Sequence, residues 1–581
     1  MVSSVKERKI MCGIFGSTGH KNSYNIVREG LLKLAYRGYD SAGIASSSTS
    51  AVVLEKTMGH PEGLPKEGTP TSSAIGHNRW ATHGKPSEQN AHPHMSMDGS
   101  VFLVHNGIIE NHLALKEKLS EEGYHFYSET DTEVIPNLIE REYKLSGNSL
   151  KAIEGAIALL EGSFAIVCFF THQPLKLFVA KKGSPLVLGA TQTLSYYISS
   201  DKNSLPEDTF LYADLPECCV VEISAGDLVK GVVFQPFEHT DNSYRLDGYK
   251  DYMSKEIASQ ESSIPAFMCA RHPCNIRELF KGKDQIIITG CGSALYASQM
   301  ASSALEARYK IPVRVLSAGE LQYDKHIVVD DKTLLIAVSQ SGETADTLRC
   351  VKKLGLTSLA IHNTKGSSLD RSCNASLYIE AGQEISVAST KAVTHQAIAL
   401  LSLAYDLRDY AETFPLRNVF LASHKLSILA KEISVSKNLM VVARGTLIPS
   451  ALETALKIKE ICYIHAEGMS ASEFKHGPLA LIDEHTPTLA FVGKEGESKI
   501  VSNIQEIKAR SGMVYGVVDE KCSKETKSVF DYYVEIPCSE FEFLNPILFT
   551  ICGQLINYHI ASILDVNVDR PRNLAKSVTT E

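Results

Sequence analysis

The chain has 581 residues, 44% hydrophobic and 22% charged, and its 58 basic and 67 acidic side chains leave a net charge of −9. That length exceeds what one hydrophobic core supports and implies about three or four domains. The acidic balance excludes a general attraction for nucleic acid or anionic membranes. The sequence offers no run of about 18 uncharged apolar residues that reads as a membrane span. Its first ten residues are charged, unlike a signal peptide. The thirteen cysteines include no Cys-x-x-Cys pair, so they read as reduced thiols of a cytoplasmic protein. No zinc or EF-hand spacing occurs.

In chain order, the first feature is Met11-Cys12-Gly13-Ile14-Phe15-Gly16. A cysteine freed at a chain terminus gains its own α-amino group as a base, with a pKa of about 8. This requires that residues 1–11 be removed or never made, and Met11 stands where an initiator would. A buried structural cysteine on a first strand is the other reading. Up to about residue 235 the pattern is one of short strands (163–170, 175–180, 220–223) with turns at 183–185 and 225–227. One helix is predicted from about Asn111 to Gly123, and another from 131–133. Cys218-Cys219 reads as part of a strand. Residues 236–264 are polar and irregular, a linker by composition.

From about residue 265 an internal repeat appears. Gln285 to Gly290 is a strand running into the turn Cys291-Gly292, with a helix from about Ala294. Leu439 to Ala443 repeats the design into Arg444-Gly445, with a helix from about Ser450. Each copy has a further apolar strand, 334–338 and 488–492. Continuous apolar strands alternating with helices predict parallel sheets covered on both faces. Two doubly wound domains are expected, at 265–410 and 425–565.

Val338 leads into Ser339-Gln340-Ser341-Gly342-Glu343-Thr344 and then a helix. Hydroxyls and backbone N–H groups at a helix start cradle an anion, although a plain helix cap looks the same. No Walker lysine is present, which favours a phosphorylated small molecule over a nucleoside triphosphate. Glu453, Lys457 and Glu460 fall on one helix face at spacings of four and seven. They read as a salt-bridge ladder or, beside His465, Glu467 and Glu473 to Pro478, as proton-transfer groups. Residues 566–581 form a tail with apolar residues and Lys576, which is either frayed or the source of a Schiff-base lysine.

These motifs, together with Tyr36 to Gly43, Gly76 to Gly84, His105 to Asn111, Ser128 to Thr132 and Lys475 to Ala480, resemble the glutamine–fructose-6-phosphate aminotransferases (isomerising). The resemblance covers nearly the whole chain. It implies an α/β multidomain protein: an N-terminal-nucleophile αββα glutaminase domain at 12–235, then two tandem sugar-isomerase (SIS) domains. It implies Cys12 as nucleophile and Asn106 with the Gly107 N–H as oxyanion hole. Arg79 and Asp131 hold the glutamine carboxylate and amine, and Thr82 and His83 belong to the same substrate-binding set. Trp80, the single tryptophan, gates ammonia in the family. On the sugar side, Ser339, Gln340, Ser341 and Thr344 match the phosphate cradle, and Ser293 its neighbouring turn. Glu460 matches the base acting between C1 and C2, flanked by Lys457 and Glu453. His476 matches the ring-opening histidine, contributed in the family by a second subunit, so a homodimer or larger assembly is implied. Lys576 matches the imine-forming lysine. Side chains suffice for this chemistry, and no metal or organic cofactor is implied.

Three features depart from the family pattern. Residues precede Cys12. Ser293-Ala294 stands where Thr-Ser is usual, so a hydroxyl is lost at residue 294. Arg570 replaces a glutamine. An amidotransferase with a different acceptor, such as another sugar phosphate, phosphoribosyl pyrophosphate or aspartate, is one alternative. A sugar-phosphate deglycase or binding regulator is another, but it predicts a decayed glutaminase half, whereas Cys12, Arg79, Asn106 and Asp131 are all present.

Overall fold

The structure, a computed structural model, describes residues 12–48, 51–80, 84–237, 246–270, 274–365, 367–574 and 576. The chain divides into two compact units that part at residues 244 and 245.

In the first unit an eight-stranded sheet packs against a five-stranded one, and pairing in both is antiparallel. Strand side chains alternate between faces, and that alternation builds the layers. Along Gly13–Thr18, Ile14 enters the core between the sheets while Phe15 packs with the helix Ser23–Lys33. Along Val101–Ile109, Phe102 and Val104 face the other sheet, while Val101 and Leu103 join the core made with the helices Val134–Ser146 and Ser149–Ala158. The result is the expected αββα sandwich. Gly13–Thr18 lies between Ser73–Arg79 and Tyr196–Ser199, which brings Cys12 beside the end of the strand that carries Arg79.

The second unit holds two five-stranded parallel sheets. With strands numbered by their order within each repeat, both run 2-1-3-4-5. The Thr333–Val338 strand is buried along its whole length. Leu334, Ile336 and Val338 face one core, and Leu335 and Ala337 the other. In such a sheet the loops after strands 1 and 3 diverge and leave a crevice. In the first repeat those loops are Cys291-Gly292-Ser293 and Ser339–Thr344.

Four expectations need correction. The stretch read as a linker contains the helix Tyr252–Cys269, capped by the Asp251 side chain, with Met253, Ile257, Ile264 and Phe267 buried in the core. Polar residues interspersed along it, including the buried Glu256 and Gln260, break up the apolar stripe. The Cys218-Cys219 pair precedes the strand Val220–Ser224, and Cys218 is left-handed (φ 57°). Glu460 does not continue an α-helix: the α-helix Ile448–Lys457 gives way to a π-helical turn, Ile458–Cys462, closed by left-handed Tyr463 (φ 56°). Finally, one segment among the described residues, Glu542–Ile563, is long and apolar enough to cross a membrane, but 78% of its apolar window is buried inside the protein. It is a core helix of this unit.

Candidate active sites

The first site forms around Cys12. Its Sγ accepts the Trp80 backbone N–H at 3.3 Å and lies 3.7 Å from the Trp80 carbonyl oxygen. Burial pushes the thiol pKa up to about 11, against the opposing pull of the Trp80 hydrogen bond and of Arg79 and Arg37. Asn106 Nδ2 donates to the Cys12 carbonyl at 2.8 Å, and Asn106 Oδ1 lies 2.9 Å from His77 Nε2. Since the Asn106 oxygen can only accept, His77 carries its proton on Nε2. Burial lowers the His77 pKa to about 3, so the ring is neutral. Gly107 has φ +139°, and a Cβ there would sit 2.0 Å from the Ser163 carbonyl oxygen. Only glycine places this N–H where it stands. Asp131 accepts the Ile109 N–H at 2.8 Å, and Arg79 donates to the Gly84 carbonyl at 3.0 Å. Both side chains are almost fully buried. The Trp80 ring meets Tyr39 edge-on at 5.7 Å. Thr82 and His83 lie outside the described residues.

The second site opens at the crevice of the first isomerase repeat. Ser339 Oγ accepts the Gly342 N–H at 3.1 Å and pairs with Thr344 Oγ1 at 2.8 Å. Ser341 Oγ accepts the Glu343 N–H at 3.2 Å. The Gln340 carbonyl takes the Asn363 N–H at 3.0 Å. This loop is folded on itself ahead of the helix Ala345–Leu354. Across the crevice, Ser293 Oγ donates to Glu453 Oε1 at 2.9 Å. Lys457 Nζ then lies 3.5 Å from Glu453 Oε1 and 2.5 Å from Glu460 Oε2. Burial raises Glu453 to about 7 despite Lys457. Burial also opposes the charge on Lys457, but the two carboxylates outweigh it and raise its pKa. Glu460 lies within the π turn, three residues after Lys457, and one ammonium bridges the two carboxylates. Such turns inside helices are frequent at functional sites.

Lys576 is also buried. Its Nζ donates to Glu384 Oε2 and, at 2.8 Å, to the Ser386 carbonyl. Sequence pattern does not point to Glu384 or its neighbour Glu256; the ion pair joins residues 192 positions apart, and no local spacing signals it. His77 lies within a recognisable motif, Gly76 to Gly84, but only the fold gives it a partner in Asn106. His476 is exposed.

A buried thiol with converging amide donors, joined to paired parallel-sheet domains bearing an anion cradle, defines a glutamine amidotransferase with tandem sugar-isomerase domains. Residues 77–207 match the glutamine amidotransferase domain model, and residues 278–405 and 432–564 match the SIS domain. The chain is 38% identical to the glutamine–fructose-6-phosphate aminotransferase (isomerizing) of Pyrococcus horikoshii and 39% identical to that of Aquifex aeolicus, each over 98% of this chain and 100% of the relative. The C-terminal domain of the glucosamine–fructose-6-phosphate aminotransferase from Francisella tularensis superposes with a TM-score of 0.52 at 33% identity, covering 56% of this chain and all of that one. The chain belongs to the glutamine–fructose-6-phosphate aminotransferase (isomerizing) family.

Proposed function

We propose that this protein transfers the amide nitrogen of glutamine to fructose 6-phosphate and isomerises the product to glucosamine 6-phosphate, releasing glutamate, as the first step of the hexosamine route. The observation that carries the sugar half is the Ser293–Glu453 hydrogen bond. It ties the turn beside the cradle to the acid–base chain of the second repeat, so a phosphate held by Ser339, Gln340, Ser341 and Thr344 leaves its sugar among groups that move protons. We assign residues 12–235 to the glutaminase domain and residues 265–410 and 425–565 to the two isomerase domains.

In the glutaminase half, Cys12 attacks the amide carbon, ammonia leaves and a glutamyl thioester remains, which water hydrolyses to glutamate and the free thiol. Among the described residues the Cys12 thiol hydrogen-bonds only to the Trp80 backbone, and none of their side chains is poised to take its proton. The α-amino group of Cys12, once it is the first residue, supplies that base. The Asn106 Nδ2 and Gly107 N–H groups stabilise the tetrahedral oxyanion. Arg79, Asp131, Thr82 and His83 hold the amino acid, and Trp80 keeps ammonia from bulk water. In the isomerase half, His476 of a second copy opens the sugar ring. Lys576 then forms an imine at C2, ammonia displaces the lysine, and Glu460 moves a proton between C1 and C2, with Lys457 and Glu453 setting its charge.

The test is the ratio of glucosamine 6-phosphate formed to glutamate released by a chain begun at Met11 and trimmed to Cys12. A ratio near one supports both sites and the transfer between them; glutamate without amino sugar counts against fructose 6-phosphate as acceptor. Cys12→Ala is expected to lower glutamine-dependent synthesis by roughly 10³-fold or more while synthesis from added ammonia persists. Full glutamine-dependent synthesis in that variant would remove the nucleophile assignment.

A further inference from the structure

Lys576 is held by a carboxylate whose two oxygens are sharply divided. Glu384 Oε1 accepts the N–H groups of Thr390 and Ala392, each at 2.9 Å, and the Thr390 hydroxyl at 3.2 Å. Oε2 is left to Lys576. The side-chain exposures are 0% for Glu384 and 5% for Lys576. The loop that carries the second Lys576 partner is fastened from below. Glu256, on the helix Tyr252–Cys269, accepts the Ser386 N–H at 3.1 Å, together with the Ile385 N–H and the Ser386 hydroxyl. Glu384 thus holds the ammonium directly, and Glu256 holds the loop that supplies its other partner.

We propose that Glu384 is the positioning residue and proton acceptor for Lys576, and that Glu256 fixes the loop against which the pair works. This rests on the reading of Lys576 as the imine-forming lysine. The proton balance closes within the pair. Glu384 takes one proton from the ammonium, and the free amine attacks C2 of the open-chain ketose. The C–N bond forms as the carbonyl π bond breaks, and a second nitrogen proton moves to the resulting alkoxide. Glu384 returns its proton to that hydroxyl, which leaves as water, and a protonated imine remains. No outside acid or base is consumed. In a site closed to water, passing the proton replaces two buried charges with two neutral groups, which offsets the cost of removing a proton from the lysine.

The other titratable groups facing the pair are Glu256 below it, Lys391 and His395 on the helix Lys391–Ala404, and Lys457 from the second repeat. Burial keeps His395 neutral, its pKa lowered to about 4. Burial and the charge of Glu384 raise Glu256. Glu384 is itself lowered by Lys576 and the helix-end N–H groups, against its burial.

The experiment is borohydride trapping of the full-length protein with fructose 6-phosphate, with the adduct located by mass spectrometry and its rate followed against pH. Wild type is expected to trap on Lys576. Glu384→Gln keeps a hydrogen-bond acceptor but no base; its trapping rate should fall about 100-fold at neutral pH and climb steeply as pH rises and solvent takes the proton. Glu384→Asp, which keeps the carboxylate, should recover part of the rate with the wild-type pH profile, and its melting temperature separates this from misfolding. Trapping by Glu384→Gln at the wild-type rate, or a loss with an unaltered pH profile, overturns the proposal. Absence of any Lys576 adduct in wild type overturns instead the imine reading beneath it.

Discussion

The two isomerase repeats share the strand order 2-1-3-4-5 and differ most where a ligand would sit. After strand 3 the first repeat has Ser339-Gln340-Ser341-Gly342-Glu343-Thr344; the second has Gly493-Lys494-Glu495-Gly496-Glu497-Ser498. In the second, the Glu497 carboxylate fills its own loop. It accepts the Ser523 N–H at 2.8 Å, the Thr526 hydroxyl at 2.7 Å and Lys494 Nζ at 2.7 Å. These bonds outweigh the effect of burial and hold its pKa down at about 2. A cavity of about 460 Å³ beside it is lined by the same residues. One scaffold has been used twice: the first copy keeps neutral hydroxyls in this loop, which the proposed function assigns to a ligand's negative charge, and the second carries a negative charge of its own. The second repeat contributes its helix to the neighbouring site instead, through Glu453, Lys457 and Glu460. On the proposed function, recognition and proton transfer are thereby divided between the copies.

That division is open to attack by substitution. The largest effect should come from the second repeat: Glu460→Gln is expected to lower kcat by roughly 10²–10⁴-fold with the KM for fructose 6-phosphate little changed, as steady-state kinetics with added ammonia would show. The first repeat should behave in the opposite way. Thr344→Val removes one hydroxyl at constant shape and should raise that KM about 5- to 10-fold, the equivalent of about 1 kcal/mol, at nearly constant kcat. A kcat loss there without a KM change would erase the distinction. Smaller still, Ala294→Ser restores a hydroxyl on the first turn of the helix Ser293–Tyr309 and should tighten sugar-phosphate binding a few-fold, measurable by calorimetry.

The smallest catalytic effect belongs to Glu497→Gln, which should leave turnover intact while costing about 1–2 kcal/mol of stability at neutral pH. Because the folded-state pKa of Glu497 is depressed, its contribution is present above about pH 4.5 and is lost as pH falls toward 2. Chemical melts of wild type and variant should therefore converge in acid, and a gap that persists at pH 2 would mean the carboxylate's charge is not what stabilises this loop.

Much of this architecture is legible in the sequence, for physical reasons that differ by region. The parallel strands announce themselves because burial on both faces demands unbroken apolar runs such as Leu334–Val338. The cradle and the glutaminase residues lie in short segments whose glycines and hydroxyls are close in sequence, so local pattern carries them. The helix Tyr252–Cys269 is not legible because polar residues interspersed along it break up the apolar stripe. Spacing puts Glu453, Lys457 and Glu460 together correctly but assumes a uniform 3.6-residue turn, and so misses the π segment in which Glu460 lies. The Glu384–Lys576 pair and the His77–Asn106 bond join residues distant in sequence, where periodicity carries no information.

The π turn at Ile458–Cys462 holds one residue more than an α-helix would accept over the same height. Deleting Ile458 or Lys459 would regularise the backbone hydrogen bonds and satisfy the helix, yet it would leave Glu460 two residues after Lys457 and turn it about 100° away from that side chain. The length of this segment is therefore under opposing demands. Folding alone favours the shorter version and the proposed chemistry the longer one, so deletion of Ile458 or Lys459 should be far less tolerated than substitution of either.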